Sequence, residues 1–126
     1  MKNLIRLTIL LLLITFTLSG CYYDKENELY PSVGCGDTTN VTYARSIAPI
    51  MVANCNVCHS ASNPSGNVIT DNYNSLSTIA KDGNLWYAVN WEGAAQTRMP
   101  QGATDTISIC DRTKIQKWID AGSPNN

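Results

Sequence analysis

An all-α domain is the fold class this sequence predicts, and three observations lead there. Apolar residues recur at helical spacing in separate stretches near 46–54, 71–89 and 108–121. Helix-starting and helix-stopping residues bracket those stretches. No run of alternating apolar and polar residues marks a strand. At 126 residues the chain is the size of one domain.

The first segment, residues 1–20, reads as a leader rather than as part of the fold. Lys2 and Arg6 give it a positive start, and an apolar run of twelve residues follows from Leu7 to Leu18. A membrane-spanning helix needs roughly 20 apolar residues, so this run fits the shorter core of a signal peptide. The segment ends Leu18-Ser19-Gly20-Cys21, which resembles the lipobox of bacterial lipoproteins. That resemblance implies cleavage before Cys21, a diacylglycerol thioether on Cys21 and an acylated new N-terminus. Several acyl chains on one residue exceed the marginal binding of a single chain, so the membrane anchor is expected to be stable. An ordinary signal peptide ending beside a cysteine is the alternative. The expected location is therefore outside the cytoplasm of a bacterium, as a membrane-anchored lipoprotein facing the periplasm or the cell surface.

Cleavage would leave 106 residues, from Cys21 to Asn126. Seven Lys and Arg then stand against ten Asp and Glu, a formal charge of −3. No basic cluster is present, which argues against a nucleic-acid partner.

Residues 21–40 are polar and rich in turn formers, and they are expected to form a tether and arm. The folded domain is expected to span 41–126. In "SIAPIMVANC", Ser46 is the expected N-cap, Pro49 falls in the first turn, and Ile47, Ile50 and Met51 share a face. Residues 60–70 are expected to be loop. Asp71 or Asn72 starts a second helix with Tyr73, Leu76, Ile79 and Ala80 on one side, and Gly83 closes it. Asn84 is the expected cap of a third, short helix reaching Val89, with Leu85, Ala88 and Val89 inward. The stretch "NWEGAAQTRMPQGATD" is long and irregular, which in a small domain points to function or disorder. A last helix follows Ser108, with Asp111 three residues on as in a capping box. Ile115, Trp118 and Ile119 form its apolar stripe, and Gly122 and Pro124 end it.

The only histidine of the chain, His59, directly follows a Cys-x-x-Cys pair in Cys55-Asn56-Val57-Cys58-His59. This is the attachment pattern of c-type haem. Two thiols at this spacing reach the two vinyl groups on adjacent porphyrin edges, and the next residue turns its imidazole toward the iron. The rival uses of the pair fit less well. A structural zinc site takes four ligands and normally two such pairs. A thioredoxin-like dithiol belongs in a βαβ unit, for which there is no pattern here. A plain Cys55–Cys58 disulfide leaves the adjacent histidine without a role.

With those residues in view, the sequence resembles the class I c-type cytochromes, and in particular small exported monohaem lipoproteins. The segments that carry the likeness are "IAPIMVANCNVCH", "RMPQG" and "IQKWIDAG", within residues 41–124. The resemblance implies short helices around one covalent haem c, with the first and last helices crossing and Ile47 or Ile50 against Trp118. Cys55 and Cys58 would be the thioether residues and His59 one iron ligand. The sixth ligand must come from elsewhere, because the chain has no second histidine. Methionine is common there and raises the reduction potential. Met51 precedes Cys55 by one helical turn and reads as core. Met99, in a Met-Pro loop ahead of the last helix, sits where the family places its ligand. The departure is "RMPQG", with a charged residue before the methionine and little glycine after it. Arg98, Trp86, Tyr87 and Trp91 flank that loop and offer donors and apolar faces, as ordinary surface and core residues also do.

Cys35 and Cys110 remain once Cys21, Cys55 and Cys58 are assigned, and in an oxidising compartment they are expected to pair. The function expected is single-electron transfer between redox partner proteins, without catalysis, from a membrane tether. Two alternatives stay open. One is a haem-based sensor or peroxidase-like enzyme with a labile sixth ligand; the other is a haem-free structural lipoprotein.

Overall fold

The structure, a computed structural model, describes residues 35–126 and, before them, Arg6 alone. The expected leader, the lipobox with Cys21 and the tether up to residue 34 lie outside the described residues. Residues 35–126 form one unit, rich in helix. Among the described residues, strand amounts to Asn63–Pro64 and its antiparallel bridges to His59 and Ser60. The all-α expectation holds at that level.

The first helix starts one turn earlier than Ser46. A π turn, Tyr43–Ile47, runs directly into α1, Ala48–Asn54. Thr42 is the cap: its Oγ1 accepts from Arg45 N at 3.2 Å, while Ser46 Oγ accepts from Thr42 N at 3.4 Å. Ser46 thus closes the cap from inside the helix instead of opening it. The wide turn has a local reason in Pro49, which has no N–H to give the carbonyl one turn back. It also has a tertiary one. Tyr43 packs edge-on to Tyr73 with ring centres 5.2 Å apart and lies 6.0 Å from the Trp118 ring. The C-terminus closes over the same turn, where Asn126 accepts from Tyr43 N through its side chain and from Ala44 N through its carbonyl.

A single-turn helix, α2, spans Asn56–His59, and α3 spans Tyr73–Lys81. Asn72 caps α3 as expected, its Oδ1 accepting from Ser75 N at 3.0 Å. Gly83 ends it in the left-handed region at φ +79°, where a side chain would be strained. The same glycine is the N-cap of α4, Asn84–Val89, and its carbonyl accepts from Tyr87 N. Asn84 is therefore the first residue of α4 and not its cap. Two helices sharing one glycine leave no position between them for a capping side chain.

The last helix, α5, spans Ile109–Asp120, and Ser108 Oγ accepts from Asp111 N at 3.1 Å. It ends in a Schellman arrangement: Ser123 N donates to Trp118 O and Gly122 N to Ile119 O, with Gly122 at φ +85°. Trp118 is fully buried, and its indole N–H donates to Pro124 O at 2.9 Å. Ile47, Ile50, Met51, Leu76, Leu85, Ile115 and Trp118 belong to one core cluster, so the first and last helices share a core. Met51 is buried in it, as its reading as a core residue requires.

A disulfide joins Cys35 to Cys110, the second residue of α5. The arm is held further along α5, where Lys117 Nζ donates to Thr38 O at 3.1 Å. The bridge spans 75 residues of sequence. Loop-closure entropy of that size stabilises the fold by on the order of 4 kcal/mol. Replacing both cysteines by alanine should lower the unfolding free energy by about that amount in a denaturant titration. A loss under about 1 kcal/mol would contradict the entropic account.

Candidate functional site

The segment 55–59 is built by a break in the first helix. Cys55 N donates to Met51 O and ends α1, and Cys55 itself turns out of helical geometry at φ −123°. The Cys55 carbonyl then accepts from Cys58 N at 3.1 Å and from His59 N at 2.9 Å, which winds the single turn of α2. Both cysteines are free thiols; Cys58 is exposed and Cys55 half-buried. Burial pushes the Cys55 thiol up to about 11. At neutral pH it is a protonated thiol, unlike the low-pKa thiolate of a redox-active dithiol.

Thr70, just before α3, clamps this turn from outside. It is buried, its N–H donates to His59 O at 2.7 Å, and its hydroxyl lies 2.8 Å from Asn56 Oδ1 and 3.1 Å from His59 O. Asn63 Nδ2 adds a bond to Val57 O at 3.0 Å. The His59 ring is oriented by Ser65 O, 3.0 Å from Nδ1. A carbonyl only accepts, so Nδ1 carries the proton and Nε2 keeps its lone pair free for a metal.

These residues open onto a cavity of about 780 Å³. Its wall includes Cys55, Cys58, His59 and Met99, with Ile79, Leu85 and Val89 supplying apolar surface. The size lies within the roughly 300–1,000 Å³ of small-molecule and cofactor sites. The four residues picked out from sequence are thus brought to one cavity, although 40 residues separate His59 from Met99.

Met99 is fixed by its backbone. Its N–H donates to Ala88 O at 2.9 Å, and its carbonyl accepts from the Trp91 indole N–H at 2.8 Å. Among the flanking residues, Tyr87 lines the cavity and is 55% exposed, which makes it a rim residue. Arg98 lies over the Trp91 ring, 5.7 Å from its centre, and Trp86 donates to Glu92 Oε1 at 3.0 Å. Sequence reasoning missed Thr70, Ser65 and the role of Trp91. Only Trp91 carried a signal, as an aromatic donor beside the loop.

Among the described residues, no three His, Cys, Asp or Glu side chains gather into a metal-ion cluster. A structural zinc site takes four such ligands, whereas a porphyrin brings four nitrogens of its own and asks the protein only for axial donors. No family model, curated protein or solved structure matches the chain.

Proposed function

We propose that this protein binds one covalently attached haem c and carries single electrons, with the architecture of a class I cytochrome c. The observation that supports the reading is the meeting of Cys55, Cys58, His59 and Met99 on one apolar cavity of about 780 Å³. Bound there, the haem would supply an iron that cycles between ferric and ferrous states. The chain's residues hold and tune it. Cys55 and Cys58 would hold it through thioethers, each thiol adding its S–H across one vinyl group of the haem with no oxidant required. His59 offers Nε2, because Ser65 O holds the proton on Nδ1. Met99 offers a thioether, a soft donor that favours the ferrous state and raises the potential. If His59 and Met99 both hold the iron, no position would be left for a substrate, and a carrier fits better than an enzyme. The lipobox reading of Cys21 adds a membrane tether that faces the periplasm or the cell surface, with redox partner proteins as donor and acceptor.

The test is expression with export in a host that attaches haem, followed by absorption spectra and denatured mass. The expected protein keeps its colour through acid–acetone extraction and carries the mass of one haem beyond that of its acylated chain. A colourless protein, or colour that is extracted, would reject covalent attachment.

A further inference from the structure

Resting on that reading, we infer that Trp91 is the positioning residue that sets how long Met99 stays on the iron. Both hydrogen-bonding groups of the Met99 backbone are taken: its N–H donates to Ala88 O in α4 at 2.9 Å, and its carbonyl accepts from the indole of Trp91, two residues past the end of α4, at 2.8 Å. Residues 92–98 loop out between Trp91 and Met99, and Met99 returns to bond Ala88 of α4.

Trp91 occupies an unfavourable backbone position to do this. Its φ is +57°, in the left-handed region that bulky residues seldom adopt. Such a conformation persists only where surrounding contacts over-determine it, and those contacts are present. The Arg98 guanidinium covers the indole face at 5.7 Å, and Arg98 Nε donates to Gly93 O at 3.3 Å. On the other side of Trp91, Asn90 and Glu92 belong to a chain of polar contacts anchored in α5. Arg112 Nη1 donates to Asn90 Oδ1 at 2.6 Å, and Asn90 Nδ2 donates to Glu92 Oε1 at 2.6 Å. Trp86 donates to the same carboxylate oxygen. The residues on both sides of Trp91 are therefore tied to helices, Asn90 to α5 through Arg112 and Glu92 to α4 through Trp86. The Met99 side chain keeps its own rotations, but the indole bond fixes the peptide from which it reaches the cavity, so loss of that bond widens the range of positions its sulfur can take.

Trp91→Phe removes the donor and keeps a ring beneath Arg98. In ferric protein at saturating imidazole, the rate of ligand entry is limited by departure of Met99. Loss of one hydrogen bond should raise that limiting rate about threefold to tenfold. The red-edge sulfur-to-iron absorption should weaken at an unchanged fraction of folded, haem-bearing chain. An unchanged limiting rate in haem-loaded Trp91→Phe overturns the inference. A wild type without covalent haem instead brings down the underlying reading, and denatured mass separates the two failures. If the variant does not mature, the wild type decides by hydrogen exchange. A Trp91 indole proton protected from solvent supports the inference, and one exchanging like free tryptophan overturns it.

Discussion

Replacing both Cys55 and Cys58 by alanine should leave a chain without haem and largely without fixed tertiary structure. Two separate effects produce that outcome. On the proposed reading the thioethers would be the only covalent hold on the haem, so without them its retention would depend on His59 and Met99 alone. The cavity would then lose its proposed occupant. The core cluster comprises ten buried apolar residues, and its members Leu85, Val89 and Ile107 also line the cavity of about 780 Å³. Domains of this size hold a net stability of only about 5–15 kcal/mol. Exposing several apolar side chains, each worth about 1.5–3 kcal/mol when buried, consumes much of that margin. Far-ultraviolet circular dichroism should show helix content well below that of the haem-bearing protein, and near-ultraviolet signals from the buried Trp118 should fade. The Cys35–Cys110 bridge survives the substitution and favours a compact state with loose packing over a random chain. Helicity and cooperativity equal to the parent's, with no haem present, would contradict this account.

The features legible in the sequence were those that depend on neighbours a few residues away. Asn72 and Ser108 each bond an N–H three residues on, and Gly83 and Gly122 take positive φ at helix ends. Such devices are visible as residue types at fixed offsets. The two misplaced caps were decided elsewhere. Thr42 replaced Ser46 because the first turn widens before Pro49 and is wedged between Tyr73, Trp118 and Asn126, which are distant in sequence. Asn84 lost its place because Gly83 serves two helices at once. The pairing of Cys35 with Cys110 was reached by setting aside the cysteines with other roles, an argument that needs no geometry. Thr70 left no trace, since its partners Asn56 and His59 lie fourteen and eleven residues away. Ser65 was equally silent, because its carbonyl and not its side chain meets the histidine. The residues proposed to bond a cofactor are thus singled out by type and spacing, whereas Thr70 and Ser65, which hold that turn and its ring, are not.

Met99→Leu should lower the reduction potential and open the iron to added ligands while leaving the haem attached. Leucine has a similar volume and no sulfur, so cavity packing is nearly preserved and the change isolates the donor. The backbone bonds of residue 99 to Ala88 and Trp91 do not involve the side chain, so the loop should keep its path. A thioether stabilises the ferrous state, and its removal favours the ferric state. Axial ligands span roughly 0.8 V of haem potential, and a fall on the order of 100 mV is expected here. For one electron, about 59 mV is a tenfold change in the equilibrium constant, so the expected fall lies far above the error of a spectroelectrochemical titration. Carbon monoxide binding tests the same substitution independently. The ferrous parent should take it up slowly, limited by departure of Met99, and the variant should take it up rapidly at neutral pH. If the parent already binds carbon monoxide as fast as the variant, with the same potential, Met99 is not the sixth ligand. The labile-ligand reading, sensor or peroxidase-like enzyme, would then replace that of the electron carrier, while the roles of Cys55, Cys58 and His59 would stand unchanged.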